Sequence, residues 1–142
     1  MKKMRVALAV PPMKVADVAY NKNAILDVAR RAREQGASLL LTPELSLTGC
    51  SCQDLFCNEL LLKASNKALL ELAEKVPDGL LLVVGLPYGD HGAPVKNVAA
   101  ILSKKSIWHF WKKKSGQESR CMKKFIPYRR LSPKNIEISD CF

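Results

Sequence analysis

The chain has 142 residues, 48% of them hydrophobic, and 23 Lys and Arg against 13 Asp and Glu, which gives a formal net charge of +10. This apolar content allows a sizeable core and excludes full disorder, and the length suits one domain. No apolar run approaches the roughly 20 residues of a membrane-spanning helix. The first apolar run is stopped by Pro11 and Pro12, too early for a signal peptide. We therefore expect a cytoplasmic protein without membrane contact.

The excess positive charge is concentrated at one end of the chain. Residues 1–102 carry 12 basic and 10 acidic side chains, whereas residues 103–142 carry 11 basic and 3 acidic ones. Both tryptophans, Trp108 and Trp111, lie in the second segment. This break in composition divides the chain into a globular part, residues 4–102, and a basic tail, residues 103–142.

Amphipathic helices are predicted at two places in the globular part. Ile25, Ala29 and Ala32 recur on one helical face, with Asn21 as the predicted N-cap and Gly36 just past the helix end. A second, longer helix is predicted over residues 55–76 because its apolar residues also recur at helical spacing.

Short apolar runs predict strands between and after these helices. Each run is only a few residues long and is bounded by Pro, Gly or polar residues, as is typical of buried strands. Residues 88–94 contain Gly, Pro and Asp and predict a hairpin loop. The order strand–helix–strand–helix–strand–strand predicts an α/β layer with helices packed on a sheet. The predicted strands are residues 5–10, 38–42, 80–86 and 97–102.

Ligand sites of open α/β sheets gather where strands end, and one carboxylate occupies such a position. Glu44 directly follows the second predicted strand and is flanked by Pro43 and Leu45. An apolar setting favours the neutral form of a carboxylate, which would suit a general base near neutral pH. A solvated loop residue or a cap for the next helix is the alternative interpretation.

Three of the five cysteines cluster just after this segment. Cys50, Cys52 and Cys57 have no nearby His that would complete a zinc-binding set. We therefore assign no metal ligands and predict reduced, partly buried thiols, with a metal site as the alternative.

Several blocks of the sequence resemble a known family. Residues 42–49, T-P-E-L-S-L-T-G, resemble the P-E-L-x-x-T-G block of the nitrilase (carbon–nitrogen hydrolase) superfamily. Residues 50–56, C-S-C-Q-D-L-F, resemble the T-G-Y-x-C-x-D-L-F stretch in the amidase domain of glutamine-dependent NAD synthetases. Residues 5–7, 14–17 together with Asn21, 83–87 and 97–100 resemble further blocks of that domain in the same order. The resemblance covers roughly residues 4–102.

The resemblance implies a four-layer α-β-β-α sandwich of which this chain would form part. It also implies a Glu–Lys–Cys triad that hydrolyses glutamine and passes ammonia to an ATP-using domain, which amidates nicotinic acid adenine dinucleotide to NAD. Glu44 matches the catalytic Glu, and Lys113 falls near the position of the catalytic Lys. Cys50 stands where the family has Tyr. The implied substrate is glutamine, and no cofactor is expected in this part, because ATP belongs to the synthetase domain.

The end of the chain departs from the family pattern. The P-K-x-x-L-P-N-Y block that holds the family's Lys is replaced by W-K-K-K-S at residues 111–115. Neither Cys121 nor Cys141 lies in a block like that of the nucleophile, so no nucleophile is assigned. We expect an inactive fragment with an apolar sheet face left uncovered, which predicts homo-oligomers or aggregation.

A shift of reading frame is our hypothesis for the unusual tail. Read one base forward, the codons of residues 107–112 must encode glycine at two places, which resembles the family's I-L-G-I-V-P-K strand. The gene's nucleotides test this hypothesis, because family similarity must continue in the alternative frame.

Two other functions remain open at this point. One is a different nitrilase-type amidohydrolase. The other is nucleic-acid binding by the tail, whose cations could contact phosphates while its aromatic rings stack on bases. The tail residues concerned are Lys112–Lys114, Lys123, Lys124, Arg129, Arg130, Trp108, Trp111, Phe125 and Tyr128.

Overall fold

The computed structural model describes residues 4–89 and 94–112, with side chains described up to Trp108. Within these residues the chain forms one sheet with strands in chain order, β1-β2-β3-β4-β5. β1, β2 and β3 are parallel, and β3–β4 and β4–β5 are antiparallel. The predicted α/β layer and its order through the fourth strand are therefore confirmed. The strands are β1 (Val6–Leu8), β2 (Leu39–Leu41), β3 (Leu81–Tyr88), β4 (Lys96–Ser103) and β5 (Ser106–Lys112).

The first helix, α1 (Val18–Glu34), begins earlier than predicted. Its N-cap is Asp17, whose carboxylate accepts a hydrogen bond from the Tyr20 amide at 3.0 Å. The prediction that Asn21 caps this helix is wrong, because Asn21 lies within α1 and its side chain bonds to loops outside it.

The second helix, α2 (Glu59–Lys75), begins later than predicted. Asn58 caps it by accepting from the Leu60 amide at 2.8 Å. The preceding residues Cys50–Cys57 form a 3₁₀ segment, in which Gln53 has φ +46° and ψ −119°. Asn58 has an extended backbone, with φ −81° and ψ +121°, so it separates the turn that contains Leu55 from α2.

The core lies between the two helices and one face of the sheet. Leu40, Leu82 and Leu102 are paired across three strands and are fully buried. Ile25 of α1 and Leu72 of α2 are also fully buried in this cluster. The arrangement is one helical layer on one sheet, which corresponds to half of the four-layer sandwich that the resemblance implies.

The opposite face of the sheet is apolar and partly open within the described residues. Val6 is 46% exposed, Leu8 80% and Leu81 38%. Leu8 is in register with Leu41, which is in register with Val83. We call the surface formed by Val6, Leu8, Leu39, Leu41, Leu81, Val83 and Ile101 the open face.

The predicted boundary near residue 103 falls inside a hairpin. Ser103 pairs with Ser106 across the turn, and Ile107 of β5 is buried. The Lys105 amide donates to the Ala73 carbonyl at 2.7 Å, which attaches this turn to α2. The sequence predicts no strand here, because its charge and composition are typical of a tail. Lys113 and the rest of that segment, residues 114–142, lie outside the described residues.

Among the described residues, no helix is both long enough and apolar enough to cross a membrane.

Candidate active site

The loop that carries Glu44 is fastened to the neighbouring strand β3. At its start, the Thr42 amide and hydroxyl both donate to the Val83 carbonyl, each at 3.0 Å. Further along, the Leu47 amide and the Ser46 hydroxyl donate to the Gly85 carbonyl at 3.2 and 3.3 Å. These bonds replace the strand pairing that ends with β2, so the loop continues along β3 in a defined path.

Gly85 lets the loop lie directly against β3. A Cβ atom at this position would come within 2.5 Å of the Leu45 nitrogen, 2.6 Å of the Pro43 oxygen and 2.8 Å of the Glu44 Cα. All three are backbone atoms, so a side chain here would displace the loop. The loop turns at Leu45, which has φ +53° and a buried side chain. Gly85 therefore fixes the distance between Glu44 and the sheet.

A buried amide joins this loop to the one before α1. Asn21 is only 1% exposed, and its Nδ2 donates to the carbonyls of Lys14 and Leu47 at 2.8 and 3.0 Å. Its Oδ1 accepts from the Lys14 amide at 2.8 Å. A further backbone bond runs from the Ala16 amide to the Thr48 carbonyl at 2.7 Å. Sequence reasoning assigned Asn21 to capping, because a polar residue before an apolar helical repeat indicates a cap more often than a bridge.

The Glu44 side chain is exposed among the described residues, although Leu45 beside it is buried. The apolar setting predicted for this carboxylate is therefore not found in the described part of the chain: the Leu45 side chain is itself buried, and the carboxylate stays exposed. Asn97 at the start of β4 donates a hydrogen bond from Nδ2 to Glu44 Oε1. Sequence reasoning did not single out Asn97, because only the pairing of β3 with β4 brings it to Glu44.

The other residues considered from the sequence do not join this pair. Lys113 lies outside the described residues. Cys50 is an exposed free thiol, and Cys52 is buried with its Sγ 3.1 Å from the Thr48 carbonyl. Within the described ranges no three His, Cys, Asp or Glu side chains are grouped as metal ligands would be. The described site thus consists of one exposed carboxylate held on a rigid loop and oriented by an amide.

Comparison with known proteins shows the family of the chain. The chain matches the carbon–nitrogen hydrolase family over residues 5–122. It is 35% identical over 105 residues to the glutamine-dependent NAD(+) synthetase of Mycobacterium tuberculosis, which covers 73% of this chain and 15% of that protein. It is 36% identical over 88 residues to the synthetase of a Synechocystis species, covering 62% and 16% of the two chains. The chain spans about one-sixth of the length of these relatives.

Solved structures show the same fold. A glutamine-dependent NAD(+) synthetase from Cytophaga hutchinsonii superposes with a TM-score of 0.73 at 24% identity, over 79% of this chain and 19% of that chain. The NitN amidase from Nesterenkonia sp. AN1 superposes with a TM-score of 0.69 at 27% identity, over 90% and 51% of the two chains. Together with the family match, these similarities confirm the resemblance carried by residues 42–49. The chain belongs to the carbon–nitrogen hydrolase family.

Proposed function

We propose that this chain is part of the glutamine-hydrolysing region of a glutamine-dependent NAD synthetase and that Glu44 is its general base. The observation that carries the proposal is the position of Glu44: the P-E-L-x-x-T-G segment is held against β3 by Gly85 and presents the carboxylate outside the core. A general base must be fixed in place and accessible to the proton it takes. Similarity to synthetases over 105 residues supports glutamine as the substrate.

In the proposed reaction, a cysteine thiol attacks the side-chain amide carbon of glutamine while Glu44 takes the thiol proton. Glu44 then gives this proton to the leaving nitrogen, so that ammonia departs and a thioester remains. Water, deprotonated by the same carboxylate, hydrolyses the thioester to glutamate and restores the thiol. A lysine, for which we propose Lys113, stabilises the negative oxygen formed at each attack.

The chain by itself is not expected to hydrolyse glutamine. No cysteine in it is assigned as the nucleophile, and members of a catalytic triad do not act independently, so that the lack of one removes most of the rate. We therefore propose that the ammonia produced by the complete region serves ATP-dependent amidation of nicotinic acid adenine dinucleotide elsewhere in the full-length enzyme. We also propose the cytoplasm as its location.

Exchange of segments tests this function. In the Mycobacterium tuberculosis synthetase, the 105 aligned residues are replaced by those of this chain. We expect the hybrid enzyme to hydrolyse glutamine and to prefer it over butyramide by at least about 100-fold, because a site built around polar substrate groups rejects an analogue that lacks them. The unmodified synthetase is the positive control. A folded hybrid without glutamine hydrolysis would contradict the proposal.

Hydrolysis of simple amides is the second candidate. The Nesterenkonia amidase, of which a complex with butyramide is known, superposes on 90% of this chain. A hybrid that hydrolyses butyramide as fast as glutamine would favour this candidate.

A further inference from the structure

We propose that Asn97 is a positioning residue for Glu44, which sets the plane of the carboxylate and favours its ionised form. This inference rests on the proposed role of Glu44 as the general base. It starts from one contact, the hydrogen bond that Asn97 Nδ2 donates to Glu44 Oε1.

The sheet register places Asn97 on the face where Glu44 lies. Burial alternates along β4, so that Lys96 and Val98 are buried toward the helices while Asn97 and Ala99 are only partly buried. Ala99 is paired with Gly85, the residue over which the Glu44 loop passes. Asn97 is paired with Pro87, two residues further along the same strand. The donor and the loop therefore share one side of the sheet.

The loop and the donor belong to two different rigid elements. The loop is bonded to β3 through the Val83 and Gly85 carbonyls, whereas Asn97 is held by strand pairing in β4. β3 and β4 pair continuously from Leu82 to Tyr88, so the separation between loop and donor is set by the sheet. The contact is consequently preorganised and does not depend on a mobile segment.

A fixed donor has two effects on a glutamate that serves as a base. The terminal torsion of a Glu side chain is soft and broad, so a directional hydrogen bond to one oxygen defines the plane in which the carboxylate accepts a proton. A neutral amide donor also favours the charged form of a carboxylate, because it bonds to that form more strongly. Both effects keep Glu44 ready to accept a proton in one orientation, which is the requirement for proton transfer during attack.

Nuclear magnetic resonance of the full chain, labelled with ¹³C at the glutamate carboxyl groups, tests the proposal. The Glu44 signal is identified by its loss in Glu44→Gln, and its titration is followed in wild type, Asn97→Leu and the isosteric Asn97→Asp. We expect the titration midpoint of Glu44 to move to higher pH in Asn97→Leu and further in Asn97→Asp, which adds a like charge. Asn66→Leu is the matched control, since it removes an amide that donates to the Gly89 carbonyl at 2.9 Å; we expect it to leave the midpoint in place.

A purely structural role for Asn97 would lower the melting temperature without moving the Glu44 midpoint, and that result would overturn the proposal. If Asn97→Leu does not fold, the reciprocal measurement decides: Glu44→Gln must shift the side-chain amide proton of Asn97 upfield, whereas the surface change Glu59→Gln must not. An unchanged Asn97 amide signal would also overturn the proposal. These readouts require no catalysis, so their failure is distinct from failure of the segment exchange to support glutamine hydrolysis.

Discussion

Substitution of Gly85 by Ala should separate the Glu44 loop from the sheet. The added Cβ would lie 2.5 Å from the Leu45 nitrogen and 2.6 Å from the Pro43 oxygen, whereas ordinary contact begins near 3.4 Å. The loop must therefore move away by roughly 1 Å. The contacted atoms belong to the backbone, which cannot rotate out of the way as a side chain can. This displacement would break the bond from the Leu47 amide to the Gly85 carbonyl, which is 3.2 Å long at present.

The expected cost follows from these two changes. Overpacking of a close contact costs about 1–3 kcal/mol, and an unsatisfied buried backbone group costs about 1–3 kcal/mol. We expect Gly85→Ala to lower the free energy of unfolding by about 2–6 kcal/mol, which is a shift of about 1–3 M in the urea midpoint for a protein of this size. The midpoint is measured by far-ultraviolet circular dichroism at constant protein concentration.

Gly89→Ala is the matched control for this experiment. A Cβ at Gly89 would meet its nearest atom, the Val95 Cα, at 3.4 Å, which is an ordinary contact. We expect its urea midpoint to stay close to that of the wild type. Equal midpoints for the two variants would refute the argument that Gly85 fixes the loop on the sheet.

Three further predictions follow from other contacts. Asn21→Ala should lower the free energy of unfolding by about 2–4 kcal/mol, because it leaves the buried Leu47 carbonyl and the part-buried amide and carbonyl of Lys14 without their partner. Asn23→Ala, at an exposed position of α1, should have little effect, and equal losses in urea unfolding would contradict the bridging role. The hydrogen bond from Lys22 holds the pKa of Glu71 below its ordinary value of 4.5. The contribution of the Lys22–Glu71 pair to stability is therefore complete above pH 4.5 and is lost as acid protonates Glu71. In Glu71→Gln the melting temperature should therefore decrease less steeply with falling pH below pH 4.5. An unchanged slope would contradict a stabilising role of the Lys22–Glu71 pair. Leu8→Lys should raise the monomeric fraction measured by light scattering, because Leu8 is 80% exposed on the open face. Leu60 is 76% exposed on α2, and Leu60→Lys should leave the monomeric fraction unchanged. A wild-type chain that is already a clean monomer would contradict this prediction.

The strands and helices were predictable where the local order of apolar and polar residues determines the secondary structure. Short apolar runs gave the positions of β1 to β4 because buried strands tolerate few polar residues. The predicted start of α2 was wrong because Leu55 fits the helical spacing, while the extended backbone of Asn58 separates it from the helix. β5 was missed because the charge and aromatic content of residues 103–112 favoured an interpretation as a tail, although Ile107 packs in the core.

The candidate site was predictable only in part. Glu44 follows from its place after a strand and from the P-E-L-x-x-T-G pattern, both of which are local. Gly85, Asn97 and Asn21 were not found as site residues because their roles arise from residues far away along the chain. Ser46 lies 39 residues from Gly85, Glu44 lies 53 residues from Asn97, and Leu47 lies 26 residues from Asn21. Such contacts depend on how distant strands and loops come together, which a local pattern of residues does not reveal. The role of Lys113 stays a prediction.

The most direct measurement of the central claim is the rate of glutamine hydrolysis by the hybrid synthetase with and without the Glu44 carboxylate. Glu44→Gln retains the size of the side chain but removes the base, so we expect kcat to fall by at least about 100-fold. Glu59→Gln changes an exposed carboxylate on α2 that pairs with Lys63, and it should leave kcat unchanged. Equal rates in these two variants would show that Glu44 is not the general base and would contradict the account.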